Sequence, residues 1–134
     1  MATVQAKQIE AAIELSEGRG EQAVARLREA CELEDAPGAS WLRPDSGTAV
    51  PSRELLGEVL LDLKRPQDAI REFELALRAV PGRLRSVHGL ARATAARGDL
   101  PNAQIRHREL LTLLADADGN LPEVAEARKY LNQR

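Results

Sequence analysis

A shift of 34 residues lays the chain on itself: Ala69 falls on Ala103, Leu56 on Leu90 and Gly57 on Ala91. A shift the other way, allowing for an insertion at 36–49, puts Ala23 in the place of Ala69 and Ala30 in that of Ala76. A unit of this size that recurs in tandem has an apolar face it cannot bury alone. Neighbouring units must therefore stack to make one continuous core.

The units are helical. Leu56, Val59, Leu60 and Leu63 stand at i, i+3, i+4 and i+7, which gathers them on one face of a helix. Ile70, Phe73, Leu77 and Val80 do the same for a second helix. Between them, Pro66 fits a first helical turn, where its missing N–H has no intrahelical acceptor, and Asp68 complements the positive helix start. The two helices form an antiparallel hairpin.

The same grammar occurs twice more. Gly98 and Asp99 in RGDLPNA read as a terminating glycine and a capping aspartate, dividing a helix over 84–97 from one over 100–115. Gly18 and Gly20 separate the apolar pattern of Ile9 and Ile13 from that of Val24 and Leu27. Asn120 followed by Glu123 resembles a capping box for a last helix over about 120–133, with Val124, Ala127 and Leu131 as its stripe. No stretch alternates as a strand would, so the expected fold is all-α. The segment 36–49, APGASWLRPDSGTA, holds two prolines and two glycines and reads as a loop. Trp41 within it is either a plug over neighbouring helices or an exposed anchor for a partner.

Within residues 50–83, Leu56, Gly57, Ala69, Phe73, Ala76 and Pro81 stand at fixed spacing, and on these positions the chain resembles the tetratricopeptide repeat (TPR) family. The flanking units depart from the pattern: His107 and Leu27 stand where an aromatic is favoured, Leu110 where alanine is, and Glu10 where leucine is. Terminal repeats, with one side to solvent, tolerate such changes. The resemblance implies a right-handed α-solenoid of three helix-turn-helix repeats over 4–35, 50–83 and 84–117, with a capping helix over 120–133. Similar chains occur as carboxy-terminal modules of bacterial TPR proteins. On this reading small residues at Gly57 and Ala69 let paired helices approach, and Phe73 wedges between its own hairpin and the next.

Composition narrows the function classes. At 134 residues with 43% hydrophobic and 30% charged, the chain is one ordered domain. It lacks an apolar run of membrane-spanning length and a signal-peptide pattern, so a cytoplasmic, unexported protein is expected. A net charge of -2 and only one Phe, one Trp and one Tyr argue against nucleic acid and anionic membranes as partners. Cys31 is the lone cysteine and reads as a small apolar core residue. His88 and His107 lack metal-ligand spacing with each other or with Cys31, and no phosphate loop or nucleophile elbow is present. No enzyme activity, metal or cofactor is expected.

Charge is uneven. The first 35 residues carry eight acids against four bases, whereas residues 83–108 carry six arginines against the single acid Asp99. The resemblance implies that the first helices of successive repeats line a concave groove for a peptide or protein segment. By register the groove presents Glu54, Glu58 and Asp62 from the middle repeat and Arg85, His88 and Arg92 from the third, an acidic wall facing a basic one. Gln5 and Gln8 come from the first. A non-enzymatic interaction scaffold is the expectation; a structural or self-associating module, or an accessory domain of a longer protein, is the alternative.

Overall fold

Three turns of one design organise the chain. The computed structural model describes residues 3–36, 51–115, 126–129 and 131. Helices α1 (Val4–Ser16) and α2 (Gly20–Asp35), α3 (Ser52–Asp62) and α4 (Pro66–Ala79), and α5 (Leu84–Ala96) and α6 (Leu100–Leu113) are each joined by three residues. The middle residue of each turn has positive φ: Gly18 at 78°, Lys64 at 63° and Gly98 at 90°. The next N–H then reaches back across the helix end, from Arg19 to the Glu14 carbonyl at 2.8 Å, Arg65 to Leu60 at 2.9 Å and Asp99 to Thr94 at 3.2 Å. A left-handed residue with this back-bond satisfies orphan carbonyls and reverses the chain.

Helix starts follow from local chemistry as well. The Thr3 hydroxyl accepts the Ala6 N–H at 3.0 Å, and Asp99 accepts the Asn102 N–H at 3.4 Å. Pro66 opens α4, as its missing N–H allows. Helix α3 has no side-chain cap of its own. Its Ser52 N–H instead donates to the Glu34 carboxylate of α2 at 2.8 and 3.1 Å, which also ties the second helix of one hairpin to the first of the next.

Every helix packs on its neighbours in sequence, α1 on α2 through α5 on α6, and α3 also touches α5. The described residues contain no strand. Ala23, Ala69 and Ala103, one per hairpin, are fully buried just past each turn, where a small side chain lets the paired helices close. The main core joins Ala11, Val24, Leu27, Leu56, Leu60, Ile70, Phe73, Leu90 and Ala93 across all three hairpins. A second cluster holds Val87, Leu110, Leu114 and Ala127, and Leu77 packs against both.

Phe73 is 0% exposed and is held from two sides. A Cβ on Gly57 of its own hairpin would lie 2.8 Å from the ring, and one on Gly89 of the next hairpin 2.4 Å. The ring therefore occupies room that two absent side chains leave, one on each side of the junction. In the third hairpin His107 holds the equivalent register position and is buried, as is Leu110. The insertion at 36–49, with Trp41, lies almost entirely outside the described residues. So does most of the expected last helix, of which 126–129 are helical.

Candidate functional site

The first helices, α1, α3 and α5, share one side of the molecule, and register brings Gln8, Glu54 and His88 to equivalent positions, followed one turn later by Ala12, Glu58 and Arg92. A polar contact repeats between successive first helices. The Gln8 amide donates to Ser52 Oγ at 2.9 Å, and at the next junction the Ser86 hydroxyl donates to Glu54 at 2.7 Å. Ser86 lies 34 residues after Ser52, so these are the same contact in two copies.

Between α1 and α3 this arrangement leaves a cleft of about 190 Å³. Ala11, Ala12 and Leu15 of α1, Leu27 beneath, and Leu55 and Val59 of α3 make it apolar, and Gln8, Glu58 and Asp62 supply polar groups at its edge. A second cleft of about 440 Å³ lies beside it, lined by Leu61, Asp62, Lys64, Pro66, Arg92 and Ala96. Asp62 lines both.

The charged residues expected along a groove are distributed differently from two opposed walls. Glu54 does not face a groove: it is 0% exposed, accepting from Arg83 Nε at 2.9 and 3.0 Å and from Ser86. Glu58 and Arg85 are bound to each other through two hydrogen bonds of 2.6 and 2.7 Å, a forked pairing that also raises the Arg85 pKa. His88 Nε2 lies 2.5 Å from Glu126, and Arg92 lies 3.9 Å from the same carboxylate. Asp62 is exposed and makes no ion pair among the described residues. Trp41 lies outside them.

Helical periodicity alone could not separate Glu54 from Glu58, because the distinction is made by Arg83, which sits in the link between hairpins 29 residues on. The cleft's apolar residues Ala12, Leu15 and Leu55 were legible as helix positions but not as a binding surface. Their signal is that side chains as small as Ala11 and Ala12 face a neighbouring helix.

The polar groups that line the cleft are Gln8, Glu58 and Asp62. Cys31 is buried in the core, and burial pushes its thiol up to about 12, where the reactive thiolate is absent at neutral pH. Burial likewise holds the His107 imidazole below its ordinary pKa. Among the described residues no group of three His, Cys, Asp or Glu side chains could hold a metal ion. None of the described helices is long and apolar enough to cross a membrane. The chain matches no protein-family model, and no curated protein matches it. The surface is thus an apolar depression between helices, edged by Asp62, which makes no ion pair among the described residues.

Proposed function

We propose that the chain is a three-repeat, TPR-like right-handed α-solenoid that binds a peptide or protein segment along its concave face, without catalysis. The cleft between α1 and α3 carries this reading. It is apolar within, lined by consecutive first helices, and bordered by a carboxylate that has no partner among the described residues. The recurring turn and the recurring Gln8–Ser52 and Glu54–Ser86 contacts support the repeat architecture. A segment suited to this surface places an aliphatic side chain in the cleft and a cationic one near Asp62. Because Arg85 already neutralises Glu58, Asp62 supplies the charge selection.

The test is peptide selection from a random library on the immobilised chain, followed by fluorescence anisotropy of the selected sequences. Ala12→Trp fills the cleft from an exposed position and leaves the core untouched. It should weaken binding at least about tenfold, and Asp62→Asn should weaken the more basic peptides selectively and reduce their salt dependence. Equal affinity for the native chain and Ala12→Trp would overturn the assignment.

A further inference from the structure

Lys64 stands in the middle of the α3–α4 turn with φ of 63°, where the equivalent turns of the other hairpins have Gly18 and Gly98. Left-handed backbone strains any residue with a Cβ, and glycine at this position would relieve it. A side chain kept there at a conformational cost points to a use outside the turn. Lys64 is exposed and makes no ion pair among the described residues, so its charge does not serve the hairpin.

The side chain lines the cleft of about 440 Å³ between the end of α3 and α5. Arg92 lines the α5 wall of the same cleft. Its side chain is 47% exposed and comes no closer than 3.9 Å to Glu126, whose other oxygen is taken by His88 at 2.5 Å. Two bases thus meet the acid Asp62 in one depression, with a described helix on either side. Asp62 also borders the apolar cleft between α1 and α3, which makes the two depressions continuous.

We propose that this second cleft receives an acidic side chain, between Lys64 and Arg92, from the same segment that fills the apolar cleft. The ligand is then an amphoteric extended peptide: an aliphatic residue between α1 and α3, a cationic one at Asp62 and an acidic one beyond it. The inference rests on the peptide-binding reading above and adds the acidic subsite to it. Two bases against one acid leave a single positive charge, which one carboxylate balances, whereas a phosphate dianion would be repelled by Asp62. Neighbouring helices lie about 10 Å apart and an extended chain advances about 3.3 Å per residue, so the aliphatic and acidic residues stand about three positions apart. Gly18 and Gly98 carry no base in the other turns, which confines the acidic subsite to this junction.

The experiment is fluorescence anisotropy of the full chain with short peptides, acetylated and amidated so that only side chains carry charge. Each has Leu and Glu at this spacing with Lys between them, in either chain direction, and is matched by versions with Gln or phosphoserine for Glu. The better-binding direction should lose about tenfold in affinity on Glu→Gln in the peptide and should also weaken with phosphoserine. Lys64→Gly/Arg92→Gln should bind the Glu and Gln peptides alike, and Lys64→Arg should keep the preference for Glu. Equal affinity of the native chain for the Glu and Gln peptides, tighter binding of phosphoserine, or a Glu preference that survives in Lys64→Gly/Arg92→Gln would overturn the proposal. In each of those cases loss of binding in Ala12→Trp leaves the apolar-cleft reading standing, while no binding of any peptide to the native chain overturns both.

Discussion

The Ser86 hydroxyl donates 2.7 Å to the carboxylate of Glu54, an acid with no solvent exposure at the junction between the second and third hairpins. Arg83, itself part-exposed, supplies the balancing charge. Removal of the arginine leaves a buried carboxylate without its cation, whereas Glu54→Gln keeps an acceptor for Ser86. Arg83→Ala should therefore cost about 3 kcal/mol and Glu54→Gln about 1 kcal/mol. Urea denaturation at neutral pH measures both. The reverse ranking would mean that the pair does not bridge the junction.

Lys64 occupies the left-handed turn position that Gly18 and Gly98 fill in the other hairpins. A side chain there costs about 1–2 kcal/mol, partly offset for glycine by its freedom in the unfolded chain. Lys64→Gly should thus raise stability by about 0.5–1 kcal/mol, and Gly98→Ala should lower it by about 1 kcal/mol. Thermal unfolding of the two variants checks the opposite signs.

His107 gives a pH dependence. Burial lowers its folded-state pKa below the ordinary 6.5, with Glu126 opposing the shift and His88 adding to it. Between the folded and unfolded values the unfolded chain binds the proton and the native chain does not, so stability falls as pH drops through 6.5. Below the folded value the loss levels off. His107→Leu should flatten this limb of a stability-versus-pH curve. Glu34 acts in the opposite sense: burial raises its pKa, against the pull of the Ser52 hydroxyl and N–H, so its contribution declines as pH rises from 4.5.

Cys31 should resist modification in the native state. With its thiol pushed up to about 12 and buried, alkylation at pH 8 should be negligible until the chain is unfolded, when one thiol per chain reacts. Rapid native-state labelling would show that α2 opens from α3.

Local chemistry made most helix ends readable. Pro66 and Asp99 mark starts, Gly18 and Gly98 mark ends, and α5 and α6 run from the expected first residues to within two of the expected last ones. Lys64 gave no such signal, since a lysine carries no preference for positive φ. Phe73 as a wedge was legible from its setting among Ala69 and Ala76. Gly89 was not, because aligning Gly57 with Ala91 hid the glycine that clears the ring's other side. Charge placement was the least readable feature. Glu54, Glu58, Arg85 and His88 all fit an exposed helical face, and only three-dimensional pairing with Arg83, with each other and with Glu126 separates buried, mutually neutralised and available groups.

A double-mutant cycle on Phe73 and Gly89 tests the shared seam between hairpins most directly. In the native background Gly89→Ala should cost about 1–3 kcal/mol, because the methyl overlaps the ring and both sides are closed. In a Phe73→Leu background the space exists, and the same change should cost nothing or gain up to about 1 kcal/mol from helix propensity. If Gly89→Ala costs the same in both backgrounds, the ring does not fill the junction, and the stacked-hairpin account is contradicted.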